Sequence, residues 1–241
     1  MMYLTKEDRL LPLTSLTNAR ELGGYETQEG SYTKTHRYIR CATSKTVSSK
    51  DQEYLINYGL NCVLDLRGTN EVNQIAHPLK NLPNVEYIHL DLFKNVQVEK
   101  AIDEFKDLGE LYCFMIDHLQ ENIKAVFNIF YTHQDACILF SCSQGKDRTG
   151  VIAALLMDLA GCHMYDIIKD YTESYENNQE IIDEIIEVIP KEKASLFLSD
   201  PLYMMKMMDH LYEEYGSARG YFRILGLDDD ILDQIVTNFT I

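Results

Sequence analysis

The chain has 241 residues, 46% hydrophobic and 25% charged, ordinary globular usage that is ample for a buried core. It carries 22 basic and 38 acidic side chains, a net charge of −16. That balance argues against a nucleic-acid partner, because phosphate contacts need a basic face, and against tight docking on anionic lipid.

The N-terminal stretch, Met1 to Leu13, is charged and has no long apolar run, so it does not read as a secretory signal. The first 50 residues carry eight Lys and Arg against five acids, so that segment is +3 while the remaining 191 residues are −19. A solvated surface accounts for the asymmetry. So does a basic N-terminal part that lines an anion site inside an acidic protein.

Farther along, Ser49 to Tyr58 shows a Ser cap and an i, i+4 apolar repeat that predict a helix. Asn61–Leu66 and Ala136–Ser141 are short apolar runs that predict buried strands, and Val85–Leu90 alternates as a third strand does. Leu111 to Phe130 repeats apolar residues at helical spacing. Gly150 to Leu159 predicts a helix directly after the third strand. Strands alternating with helices predict an α/β fold, a sheet flanked by helices. After residue 163 the pattern is wholly helical: Gln179–Val188, the Met-rich Tyr203–Tyr215 and Asp229–Phe239. With no repeat and no Ser/Gly-rich linker, residues 1–241 read as one domain with a helical insertion at about 165–215. The longest apolar helix candidate, Val151 to Ala160, contains Asp158 and is too short to span a bilayer, so no stable membrane insertion is expected.

The six cysteines (Cys41, Cys62, Cys113, Cys137, Cys142 and Cys162) show no CxxC spacing and read as reduced thiols of a cytoplasmic protein. Cys142 stands apart. It ends a predicted strand and is followed by Ser143, Gln144, Gly145, Lys146, Asp147, Arg148 and Thr149 before a predicted helix. A loop closing from a strand onto a helix can turn successive backbone N–H groups inward, and the helix N-terminus adds partial positive charge. Arg148 offers a planar fork for phosphate oxygens, and Gly145 permits the turn. The field that holds a phosphate also stabilises a thiolate, which makes Cys142 a candidate nucleophile. Thr149 is placed to donate to the sulfur. The alternative is an inert buried thiol beside a plain turn.

This run resembles the Cys-x5-Arg-Thr signature loop of cysteine-dependent protein tyrosine phosphatases. More narrowly, Gly-Lys-Asp-Arg-Thr-Gly at 145–150 resembles a bacterial tyrosine phosphatase family that includes secreted lipid and protein phosphatases. Other segments agree with that family: Asn18–Gly24, Arg40, Leu64–Arg67 with Glu71 after it, Asp170–Ser174, Tyr215–Ser217, and Tyr221 through Leu227. The resemblance implies a mixed sheet flanked by helices with an additional helical lid. It also implies a two-step phosphoric monoester hydrolysis through a phosphocysteine on Cys142, with no metal and no cofactor. The substrate would be a phosphorylated protein, phosphotyrosine first and phosphoserine or phosphothreonine under dual specificity, or a small phosphomonoester.

The family usually has His before its nucleophile, and here the residue is Ser141, which predicts a weaker hold on the thiolate. Asp147 inside the loop is the family's usual general acid; Asp91, after the Val85–Leu90 strand, is the separate-loop alternative. Ser143, Gln144, Gly145 and Lys146 would contact the phosphate. Arg20 and Arg40 either reach the pocket or serve as surface or capping residues. Asp65 and Arg67 read as a structural pair. Three other readings compete: an inositol phosphate or phosphoinositide phosphatase, a phosphate-binding module without turnover, and arsenate reduction or sulfur transfer.

Overall fold

The computed structural model describes residues 3–96, 105–188 and 196–241. A five-stranded sheet organises them. Its strands are β1 (Arg20–Glu21), β2 (Tyr38–Ala42), β3 (Leu60–Asp65), β4 (Glu86–His89) and β5 (Cys137–Cys142). The spatial order is β1-β2-β5-β3-β4, with β1 antiparallel to β2 and every other pairing parallel. The sheet is mixed, and β5 occupies its centre.

That position explains the apolar run of β5. A strand covered on both faces must be apolar at every residue. Ile138, Phe140 and Cys142 face the larger core, whereas Cys137 and Leu139 face the smaller one. The smaller core is closed by α2 (Ser49–Tyr58), which Ser48 caps and Gly59 terminates in the left-handed region. The larger core lies under α4 (Leu108–His118), α5 (Gln120–Thr132) and α6 (Asp147–Leu159), with α10 (Ala218–Ile224) and α11 (Asp229–Phe239) completing it. Two short helices, α1 (Lys6–Arg9) and α3 (Thr69–Gln74), lie on the connections.

The helical stretch after Cys162 comprises α7 (Met164–Asn177), α8 (Gln179–Val188) and α9 (Pro201–Tyr215). Helix α7 packs on α6, and the Met204, Met207 and Met208 face of α9 packs on α4 and α7. The Met stripe is therefore core. No described helix is long and apolar enough to cross a membrane.

Two sequence expectations need correction, and two strands went unpredicted. The Leu111–Phe130 pattern is two helices, because the chain turns at Leu119 (φ −103°, ψ 21°). Helix α6 begins at Asp147, a turn before Gly150, so Asp147 and Arg148 stand on its first turn. Strands β1 and β2 carry charged residues inside buried strands, Arg20, Glu21 and Arg40, and so give no apolar signature.

Candidate active site

Parallel pairing brings the C-terminal ends of β2, β3 and β5 together: Ala42 pairs with Cys142, and Asp65 with Ser141. Cys142 ends β5 with 2% of its surface exposed. Residues 143–146 then turn onto α6. Gly145 sits at φ +61°, and a Cβ there would lie 2.3 Å from the Cys41 carbonyl oxygen, so both the conformation and the space demand glycine.

Four consecutive carbonyls of this loop are tied down from outside. Thr43 N–H donates to those of Cys142 (3.0 Å) and Ser143 (3.3 Å). Asn18 Nδ2 donates to those of Gln144 and Gly145, both at 3.1 Å, and Asn178 Nδ2 to that of Gln144 at 3.0 Å. Arg40 Nη2 donates to that of Gly145 at 2.7 Å. A trans peptide points its N–H opposite to its C=O. Anchoring these carbonyls therefore turns the N–H groups of Ser143, Gln144, Gly145 and Lys146 to the other side. Among the described residues none of these four N–H groups meets a backbone acceptor. Four free amides beside the N-terminus of a 13-residue helix form an anion cradle.

Arg148 completes it. Glu71, on α3, accepts from Arg148 Nη1 (2.5 Å) and Nη2 (3.0 Å), and also from the Ser143 hydroxyl. Burial pushes the Glu71 carboxyl up, but the Arg148 fork, Ser143 and the Gly68 N–H together hold it at about 2. Burial likewise works against the Arg148 charge; the Glu71 bonds and the neighbouring Cys142 outweigh it and raise its pKa. Thr149 Oγ1 is buried and has no hydrogen-bond partner among the described residues, a donor held in reserve one residue beyond Arg148.

Asp147 keeps 29% of its side chain exposed, and its Oδ1 accepts from the Tyr112 hydroxyl at 2.5 Å. Tyr112 is in turn 2.9 Å from the Tyr171 hydroxyl. Asp91 has a different job. Its Oδ2 accepts from Thr69 N–H (2.7 Å) and Thr69 Oγ1 (2.8 Å), and its Oδ1 from Phe93 N–H (3.1 Å). It caps α3 and so supports Glu71, and its oxygens are occupied in doing so.

Three residues expected at the phosphate lie elsewhere. The Lys146 ammonium is buried and donates to the carbonyls of Leu196 (2.6 Å) and Leu198 (3.2 Å), with Asp147 3.4 Å away. Arg20 and Arg40 are buried on Asp170 of α7: Arg20 through Nε at 2.8 Å, Arg40 through a close Nη1 contact. Burial raises the Asp170 carboxyl, yet the two guanidinium charges bring it down to about 2. The basic N-terminal segment thus neutralises an acid under the loop, and Arg9 repeats the pattern on Glu173 at 2.7 Å. Arg40 still serves the cradle through the Gly145 carbonyl. Asp65 and Arg67 form the expected pair, with Arg67 Nη2 2.7 Å from Asp65 Oδ2.

Burial pushes the thiols of Cys41, Cys62, Cys113, Cys137 and Cys162 upward, which leaves them inert at neutral pH. Ser141 is buried and bonds to Thr43 Oγ1 at 3.0 Å and His77 Nε2 at 3.2 Å. Thr43, His77, Tyr112 and Asn178 carry no mark in the sequence that ties them to this loop, and Asn18 stood inside a quoted motif without its loop partners. Glu71 and Asp170 stood inside quoted motifs, but without their partners.

The tyrosine phosphatase family profile matches residues 11–241. A tyrosine-protein phosphatase of Nostoc commune is 28% identical over 212 residues, covering 82% of this chain and 72% of that protein. A putative tyrosine-protein phosphatase of Cupriavidus necator is 25% identical over 230 residues, covering 88% and 82%. Among solved structures, P. aeruginosa TpbA in complex with phosphotyrosine aligns with 75% of this chain and 89% of its own, at 11% identity and a TM-score of 0.35, a likeness too slight to add to the fold described above.

Proposed function

Since the chain belongs to the tyrosine phosphatase family, we propose that it hydrolyses phosphotyrosine through a phosphocysteine on Cys142. The observation that carries this reading is the loop of 143–146. Four outward carbonyls leave four amides free in front of a strand-end cysteine, with Arg148 braced beside them.

In the first step Cys142 Sγ attacks phosphorus, an S–P bond forms and the P–O bond to the leaving group breaks. The free amides and the Arg148 guanidinium take up the charge of the phosphoryl oxygens, a stabilisation that needs no rearrangement because the donors are already fixed. Asp147 hands its proton to the departing phenoxide. In the second step water attacks the phosphocysteine, Asp147 accepts its proton, and the S–P bond breaks to return the thiolate. The spare Thr149 hydroxyl eases that departure by donating to sulfur. Ser143 acts through Glu71 and Arg148. Gln144 and Gly145 act through their backbone.

Six unpaired cysteines fit a reducing compartment such as the cytoplasm. The net charge of −16 fits a phosphoprotein or small phosphomonoester better than nucleic acid or an anionic membrane surface. With Lys146 engaged by Leu196 and Leu198, no extra cation stands in the loop for a polyphosphorylated inositol, so that alternative is not favoured.

The test is phosphate release from a phosphotyrosine peptide, a phosphoserine peptide and an inositol polyphosphate, with chelator present. Turnover on phosphotyrosine that Cys142→Ser abolishes is expected, with slower release from phosphoserine. Undiminished turnover by Cys142→Ser, or release from the inositol phosphate alone, overturns the proposal.

A further inference from the structure

Ser141 precedes the nucleophile and is fully buried, so its hydroxyl must be satisfied by protein. Two groups satisfy it, both distant in sequence: Thr43 Oγ1 at 3.0 Å and His77 Nε2 at 3.2 Å. The direction of these bonds follows from the other ring nitrogen. His77 Nδ1 accepts the Leu79 N–H at 3.2 Å, so in the neutral ring the proton sits on Nε2 and His77 donates to Ser141. The Ser141 and Thr43 hydroxyls share a second bond, in which either oxygen can donate. Thr43 in turn holds the carbonyls of Cys142 and Ser143 through its backbone N–H.

We propose that His77 is a positioning residue for this phosphatase: through Ser141 and Thr43 it fixes the first two peptide planes of the signature loop, and so aims the amides of Ser143 and Gln144 at the thiolate and the phosphate. The proposal rests on the phosphatase reading above. It supplies from a separate segment, 64 residues away, the support that the residue before the cysteine does not give alone.

The surroundings keep the ring in its donating form. His77 packs 5.8 Å from the Tyr87 ring. Asp65 and Arg67 are the charged groups nearest it, and each is engaged: Arg67 pairs with Asp65, and the Tyr87 hydroxyl donates to Asp65 at 3.0 Å. Burial pushes the imidazole down to about 4, against the pull of Asp65 and with the help of Arg67. Arg148 and Cys41 are the titratable groups that feel Cys142, and Glu71 and Asp147 surround Arg148; among the described residues none of the four hydrogen-bonds to His77 or to the Ser141 hydroxyl.

The experiment reads the thiolate directly. The rate at which iodoacetamide alkylates Cys142, followed by peptide mass across pH 4.5 to 8, needs no turnover. It therefore separates this proposal from the assignment of function. Loosening the two planes in His77→Leu is expected to move the acid limb of alkylation up by about one pH unit. The acid limb of kcat/KM on p-nitrophenyl phosphate should move with it, for about a tenfold loss at pH 6. His77→Gln, whose amide keeps a donor at the same reach, should restore most of the shift. Ser141→Ala should reproduce it alone and add nothing in the His77→Leu background. A His77→Leu protein that is less stable but unshifted in both profiles overturns the proposal, as does failure of Gln to restore. Should His77→Leu not fold, Ser141→Ala decides: an unshifted alkylation profile overturns it.

Discussion

Arg40 Nη2 donates to the Gly145 carbonyl at 2.7 Å while its Nη1 contacts Asp170, so one buried guanidinium joins the floor of the phosphate loop to helix α7. Only a planar fork spans both partners. Arg40→Lys keeps the charge for Asp170 and gives up the loop carbonyl. The expected cost is about 1–3 kcal/mol in urea unfolding, the range of a charge-assisted hydrogen bond. A loss of at least about tenfold in kcat/KM should accompany it, because the Lys146 amide is no longer aimed. Unchanged kcat/KM in the folded variant would show that Asn18 and Asn178 hold the loop without Arg40.

Tyr112 and Asp147 permit a sharper test of the general acid. The Tyr112 hydroxyl fixes Oδ1 of Asp147, leaving the other oxygen for the proton in transit. Tyr112→Phe frees the carboxyl to rotate at little cost in packing. p-Nitrophenol leaves readily without a proton, whereas tyrosine does not. The variant should therefore lose about tenfold or more on a phosphotyrosine peptide and little on p-nitrophenyl phosphate. Equal losses on both substrates would assign Tyr112 to the fold alone and take the acid role from Asp147.

Thr149 carries a buried hydroxyl without a partner among the described residues, an arrangement that ordinarily costs about 1–3 kcal/mol. Thr149→Val keeps the shape and removes the orphan, so stability should be equal or higher. Return of the thiolate from phosphocysteine loses its donor, so breakdown should become rate-limiting. A pre-steady-state burst of p-nitrophenol, absent or small in the parent protein, is the expected signature. A less stable Thr149→Val with no burst would mean that the hydroxyl has a structural partner.

The strand, loop and helix that hold Cys142 and Arg148 were legible because their signal is local. An apolar run, a glycine at a tight approach and a helix start all lie within a dozen residues. The supports were not legible, because each arrives from another part of the chain: Glu71 lies 77 residues from Arg148, Tyr112 lies 35 from Asp147 and His77 lies 64 from Ser141. Charge alone misled at Arg20, Arg40 and Lys146. A cation near a phosphate loop suggests phosphate, but these three are consumed by Asp170 and by the carbonyls of Leu196 and Leu198, partners that only the folded helical stretch brings near. The complete burial of β2 was hidden for a related reason. Its Arg40 is buried because α7 supplies a counter-charge, and hydropathy has no term for that.

His77 also predicts how the protein responds to acid. An unfolded His binds its proton near pH 6.5, whereas burial holds the folded ring at about 4. Between those values the unfolded chain binds the extra proton, so stability from this residue is complete above about pH 6.5 and drains as pH falls toward 4. The shift corresponds to about 3 kcal/mol. Asp170 and Glu71, both held at about 2, contribute in a lower window, below about pH 4.5. Glu21 and Glu173 are raised by burial and act in the opposite sense, so the His77 share is read as a difference between proteins. Urea unfolding at intervals from pH 7 to 4.5 should show the parent losing stability faster than His77→Gln, whose side chain does not titrate. Parallel curves would mean that the imidazole accepts a proton in the folded state as readily as in the unfolded chain.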